Sequence, residues 1–259
     1  MVVRIASVMS LVMLAADASA QAPAQLNFVS CPVVQDTKTV PCWLSEYEGE
    51  LYYLGIQTDV SAEFHPPYLG HPVLVEGTVS NEARICGGIV LKPVRVSPMP
   101  EFDSSCNTIL PAVDRYTVPF APRPPGPSGG RLAFEAPPRT EEKKTPRAEP
   151  KEFSLQYDFN QPVMGRHASV LTQITDYVRD ISATRIRIVG YRGATLLSNG
   201  RVLTEAPGIA GARAKEVADL LKEAGLTNVA IEVSARSEPE PAKGVEDWRS
   251  RRTTVRVEP

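Results

Sequence analysis

An α+β two-layer sandwich preceded by a small disulfide-bonded β domain is the fold class predicted for this 259-residue chain. Three observations predict it. Residues 153–259 switch between hydrophobic periods of 2 and 3.6, all four cysteines fall in the first half, and a proline-rich stretch separates the halves.

At the amino terminus, Arg4, an apolar run over residues 5–16 and the small triplet Ala18-Ser19-Ala20 ahead of Gln21 form the three-part pattern of a secretory signal peptide. Residues 1–20 are therefore expected to be removed, with an uncleaved anchor as the alternative. The run is shorter than the roughly 20 apolar residues that a membrane span requires, and no later segment qualifies. An exported protein is expected. A formal net charge of −2 gives no whole-chain argument for nucleic acid or for a strongly anionic membrane surface.

In an exported chain Cys31, Cys42, Cys86 and Cys106 read as two disulfides. Local pairing, Cys31 with Cys42 and Cys86 with Cys106, is the preferred connectivity of the three available, because each pair brackets a turn-rich stretch. Zinc ligation is disfavoured, since no two cysteines have the C-x2-4-C spacing that tetrahedral sites use. No metal or cofactor is expected.

Residues 26–117 carry short β-type runs, "ELYYLGIQ", "VLVEGTV", "RICGGIVL" and "PVRVS", separated by turns such as "HPPYLGHP". They predict a small closed or half-closed β domain, an OB-like barrel. His65 and His71 flank a Pro-Pro turn without an acidic or cysteine companion at ligand spacing and read as loop histidines. Trp43, Tyr47, Tyr52 and Tyr53 cluster after Cys42 and read as core packing, with a glycan or peptide platform as the alternative. Residues 118–150 hold nine of the 24 prolines and a charged tail, a composition that cannot bury enough apolar surface to order itself and so predicts an extended linker.

The last segment reads element by element. "FSLQYDF" places Phe153, Leu155, Tyr157 and Phe159 on one face of a strand. "ASVLTQITDYVRDIS" repeats Leu171, Ile174, Val178 and Ile181 at helical spacing. "RIRIVGY" is a second strand ending at Gly190. A second helix, "ARAKEVADLLKEAG", begins near Arg213, turns Val217, Leu220 and Leu221 inward and stops at Gly225. "VAIEVSA" and "TTVRVEP" complete a β-α-β-α-β-β order, two helices on one face of a four-stranded mixed sheet.

In this order the segments "IRIVGY", "ARAKEVADLLKEAGL", "VAIEVSARSEPEP" and "RSRRTTVRV" resemble those of OmpA-like peptidoglycan-binding domains, over about residues 153–259. The family pattern is a strand ending in Gly-His/Tyr-Thr-Asp, then Leu-Ser-x-x-Arg-Ala-x-x-Val, then Asn-Arg-Arg-Val. Gly190-Tyr191, Arg213-Ala214 with Val217, and Arg251-Arg252 stand at those places. The resemblance implies a grip on diaminopimelate-containing peptide, a loop aspartate taking its ammonium and the helix arginine its carboxylate. It also implies the periplasm of a Gram-negative envelope, with outer-membrane association as an open alternative. Arg213 matches the arginine, but Gly193 stands at the aspartate position and the segment up to Arg213 is longer than usual.

Glu205 is the sole acid in that segment. Three readings stay open: Glu205 folds back as the replacement carboxylate, the site takes a different ligand, or the fold survives as a structural or protein-interaction module. A charge-assisted contact contributes about 1.5 to 3 kcal/mol, so a grip without its aspartate binds on the order of tenfold to a hundredfold more weakly unless compensated. The candidate peptidoglycan-binding residues are thus Arg213, Glu205, Gly193, Arg251 and Arg252, and another envelope protein is the expected partner of the amino-terminal domain or linker. Glu238, Glu240, Glu246 and Asp247 lie in the polar, proline-broken stretch "SEPEPAKGVEDW", whose solvated carboxylates suit no general acid, so no enzymatic activity is expected.

Overall fold

The computed structural model describes residues 24–56, 64–113, 115, 116, 118, 149–163 and 168–259. The expected signal peptide and nearly all of the expected linker lie outside them. In the first half seven strands form, β1 (Gln25–Ser30), β2 (Pro32–Gln35), β3 (Cys42–Tyr47), β4 (Glu50–Ile56), β5 (Val73–Val79), β6 (Ile89–Pro98) and β7 (Thr108–Leu110). The runs "RICGGIVL" and "PVRVS" do not make two strands: residues 85–88 form a tight turn and the remainder joins into the ten-residue β6.

Strand pairing runs β1-β5-β6-β4-β3-β2-β7. Its neighbours are antiparallel except for β4 with β6 and β2 with β7, which are parallel. Cys31 alone separates β1 from β2, so the path from β1 through β5, β6, β4 and β3 returns to β2 and to its own start. Inside this curl Phe28 stacks on Tyr47 with ring centroids 4.6 Å apart and meets Tyr52 at 5.4 Å. Most of the aromatic cluster read from the sequence is therefore core: Tyr52 is buried, and Trp43 and Tyr47 pack against the same cluster as Leu54, Val73 and Val75.

The disulfides differ from the local pairing expected. Cys31 bonds Cys106 and Cys42 bonds Cys86. The pairing follows the sheet: β7, just after Cys106, lies beside β2, just after Cys31, with the two Cα atoms 4.7 Å apart. Cys42 opens β3, two strands away from the turn that carries Cys86. These links span 75 and 44 residues, so each restricts the unfolded chain by about 4 kcal/mol on a loop-entropy estimate.

The second half is built from β8 (Lys151–Gln156), α1 (Ala168–Asp180), β9 (Arg185–Tyr191), α2 (Ile209–Glu223), β12 (Ala230–Arg236) and β13 (Arg252–Glu258), in the order β-α-β-α-β-β. Its sheet order is β12-β9-β13-β8, with β12 parallel to β9 and the other pairs antiparallel. The alternation of "RIRIVGY" appears as burial of Ile186 and Ile188 between exposed Arg185 and Arg187. Those isoleucines meet Ile174, Val178, Val217 and Leu221 from the helices in one core, where each fully buried aliphatic side chain contributes about 1.5 to 3 kcal/mol. Gly225 follows α2 at φ 90°, the left-handed turn that ends a helix without a Cβ penalty.

Two features were not anticipated. The helix α2 starts at Ile209, one turn before Arg213, and the expected long turn ahead of it folds into a hairpin, β10 (Ala194–Leu196) paired with β11 (Val202–Thr204). Leu197 of this hairpin and Phe159 are buried in one cluster with Leu74 and Met99 of the first half, with Leu203 beside them. The two halves are thus joined through the hairpin by a shared apolar contact.

Candidate functional site

Arg213 projects from the second turn of α2 and is fully buried. Burying a guanidinium is expensive unless every donor finds an acceptor, and here each one does. Nε donates to the Gln161 carbonyl at 2.9 Å, Nη1 to the Tyr191 carbonyl at 3.1 Å and to Glu205 Oε2 at 2.9 Å, and Nη2 to the Asp158 carbonyl at 3.2 Å and to Glu205 Oε1 at 2.5 Å. Five N–H groups have five partners, all within the chain. The guanidinium also lies over the Tyr157 ring, 4.6 Å from its centroid. That same burial pushes the Tyr157 phenol up to about 12.

Glu205, directly after β11, is equally buried and equally satisfied. Besides Arg213, Oε1 accepts the Asn160 N–H at 2.9 Å and Oε2 the Gly193 N–H at 2.8 Å. Arg192 fixes the glutamate backbone, donating from Nε to the Glu205 carbonyl at 2.6 Å. The arrangement is a four-donor receptor for one carboxylate: a forked guanidinium and two backbone N–H groups, filled by a side chain of the same protein.

Gly193 carries no charge and has no room for one. A Cβ added there would fall 2.5 Å from Ser250 Oγ and 2.6 Å from Arg251 Cγ. The space that an aspartate would occupy is taken by the Arg251 stem, while the Gly193 N–H serves the Glu205 carboxylate.

The chain is similar to OmpA-like domains. Solved structures that resemble it include the OmpA-like domain of FopA1 from Francisella tularensis subsp. tularensis SCHU S4, at 12% identity, a TM-score of 0.32 and coverage of 42% of this chain and 73% of that one. A putative MotB-like protein from Desulfovibrio vulgaris aligns at 14% identity and a TM-score of 0.34, over 42% of this chain and 75% of that one. The cell wall anchor of the T6SS from Pseudomonas aeruginosa aligns at 20% identity and a TM-score of 0.30, over 42% and 81%. No family profile and no curated protein matches the chain.

The distal half also carries Arg251 and Arg252, and these diverge. Arg251 is fully buried and turned toward the β half, where both Nη atoms meet the Glu76 carboxylate and Nη1 also donates to Thr195 Oγ1 at 2.9 Å. Arg252 is partly exposed. It forks onto Glu240 at 2.7 and 3.1 Å and lies 4.1 Å from the centroid of the Tyr191 ring, and the glutamate hydrogen bond is the main cause of its raised pKa. The structure therefore brings Arg213, Glu205 and Gly193 together, places Arg251 against Gly193 but commits its head to another partner, and leaves Arg252 at a separate lip.

Several residues in this constellation went unread in the sequence. Glu76 is separated from Arg251 by 175 positions, Asp158 and Gln161 act through backbone carbonyls, and Asn160 acts through its backbone N–H and through Oδ1, which accepts the Ala206 N–H at 2.6 Å. Asp247, read as a solvated loop acid, is buried and accepts the N–H groups of Lys243, Gly244 and Leu196 at 2.8 to 2.9 Å. His65 and His71 border an open cleft of about 520 Å³ at the seam of the halves, where His71 Nδ1 lies 3.0 Å from the Met99 carbonyl oxygen. Among the described residues the grouping Cys31, Asp103 and Cys106 has metal-ligand spacing, but both sulfurs are spent in one disulfide.

Proposed function

We propose that this chain is a non-enzymatic protein of the cell envelope whose distal half carries a grip for the free carboxylate of a cell-wall peptide, held shut in this conformation by Glu205. The observation that carries the reading is the four-donor receptor around Glu205: a guanidinium and two N–H groups converge on one carboxylate at 2.5 to 2.9 Å, as they would on a ligand's. Export is supported by the signal-peptide pattern and by the two disulfides, which persist in oxidising compartments. Among the described residues no helix is long and apolar enough to cross a membrane. For the amino-terminal half we retain the OB-like barrel reading, supported by a five-member ring of strands closed through the bent β1–β2 segment.

Retention on isolated sacculi tests the proposal. The mature wild type is expected to be retained weakly, Glu205→Gln, which keeps the side-chain volume but removes the charge, at least about tenfold better, and Glu205→Gln with Arg213→Ala not at all. Retention of the wild type equal to that of Glu205→Gln refutes the closed state. Retention of neither leaves the OmpA-like fold as a structural or protein-interaction module.

A second reading, direct peptidoglycan association without any opening, is favoured by Arg252, which stays partly exposed beside Tyr191 at the end of β9. It predicts that Arg252→Ala alone removes sacculus retention from the wild type.

A further inference from the structure

Glu205, held locally by Arg213, Arg192 and the N–H groups of Gly193 and Asn160, sits at the end of a hairpin that is also held from far away. It follows β11, which pairs with β10 over three residues each. A two-stranded ribbon of that size does not hold itself together in water. Its support comes from outside. Within the distal half Asp247 accepts the Leu196 N–H at 2.9 Å, Arg251 Nη1 donates to Thr195 Oγ1 at 2.9 Å and Phe159 packs in the cluster of Leu197, and a second set of anchors belongs to the β half. The Asn27 side chain, on β1, donates to the carbonyls of Leu196 and Gly244 at 2.9 and 2.8 Å, while its backbone N–H donates to Ser198 Oγ and its carbonyl accepts the Ser198 N–H. From β5, Glu76 accepts Thr195 Oγ1 at 3.1 Å together with the Arg251 guanidinium, and Leu74 packs with Leu197. Residues 195–198 are thus gripped one after another by β1 and β5.

We infer that docking of the β half is the lock on the carboxylate receptor. While β1 and β5 hold the β10–β11 hairpin, Glu205 stays seated. When the β half lifts away, the hairpin loses its contacts with Asn27, Leu74 and Glu76, and Glu205 can leave. Arg213 Nη1 and Nη2 with the N–H groups of Gly193 and Asn160 then receive an external carboxylate. The exchange is favourable because a buried guanidinium left alone is far costlier than one that trades one carboxylate for another. Coupling is reciprocal: a carboxylate ligand that enters the receptor also loosens the β half. The inference rests on the reading that the receptor takes a cell-wall carboxylate, and adds what controls it.

The test uses the full mature chain and a disaccharide-tripeptide muropeptide containing diaminopimelate as the probe. Asn27→Ala with Glu76→Gln weakens the docked interface without touching Arg213 or Glu205. Because apparent affinity scales with the fraction of open molecules, the double variant is expected to bind the muropeptide about tenfold or more tightly than wild type. The Gly193 and Asn160 amides, hydrogen-bonded to Glu205, should exchange faster with deuterium, and adding Arg213→Ala should abolish binding. Asn27→Ala alone, which leaves no buried charge unpaired, is the folded control and should shift both readouts in the same direction by less. Unchanged affinity with unchanged protection of both amides overturns the lock. If Glu205→Gln gains sacculus retention while the interface variants gain no affinity, the lock is wrong and the receptor reading stands; if neither gains, the receptor reading has failed and the lock with it.

Discussion

At the scale of single residues, the Arg213–Glu205 pair decides what the site can do. Removing two charges from water costs several kcal/mol for each, and attraction between them offsets this only when the remaining donors and acceptors are satisfied. All five guanidinium N–H groups and both carboxylate oxygens meet that condition. Truncating either partner strands the other, so Glu205→Ala and Arg213→Ala should each lose about 3 to 5 kcal/mol in urea unfolding. The double variant should lose clearly less than the sum, the signature of direct coupling. Tyr157 supplies a pH test. Its folded pKa, raised to about 12 by burial, lies above the value near 10 of the free phenol, so the folded state retains a proton that the unfolded chain gives up. Its contribution is fully present below pH 10 and is lost as pH rises toward 12, on the order of 2 kcal/mol in all. Melting temperatures at pH 9 and pH 11 should therefore differ more for wild type than for Tyr157→Phe.

Elements were legible to unequal degrees. Strands and helices of the distal half announce themselves through period, and Gly225 was read as the end of α2 from its position alone. Gly225→Ala should cost about 1 kcal/mol, measured by chemical denaturation, because alanine resists φ 90°. The hairpin β10–β11 was not legible: its strands have three residues each, below the length at which alternation can be told from chance. Nor was the start of α2, where Ile209 and Ala210 follow the left-handed Gly208 with no side-chain cap to mark the entry. In the β half, β1 to β3 lack the long apolar runs of β4 and β5 and emerge only through their pairing.

For the whole molecule, the buried Glu76–Arg251 contact and the cluster of Leu74, Met99, Phe159 and Leu197 tie the halves to each other. With the disulfides intact, thermal unfolding should show one transition by calorimetry, and Glu76→Ala should split it or broaden it as the β half uncouples. Two independent transitions in wild type would mean that the interface contributes little. By itself the sequence determined the order of the distal elements, the inward faces of their helices and strands and the position of Arg213, because these depend on local spacing, whereas Glu205, read as a stand-in for the missing aspartate, is spent on Arg213 itself. The partners of the charges and the pairing of the cysteines were decided only in three dimensions. Arg251 could find Glu76, and Cys31 could find Cys106, only after a sheet had curled and a hairpin had docked, bringing together atoms that no local pattern connects.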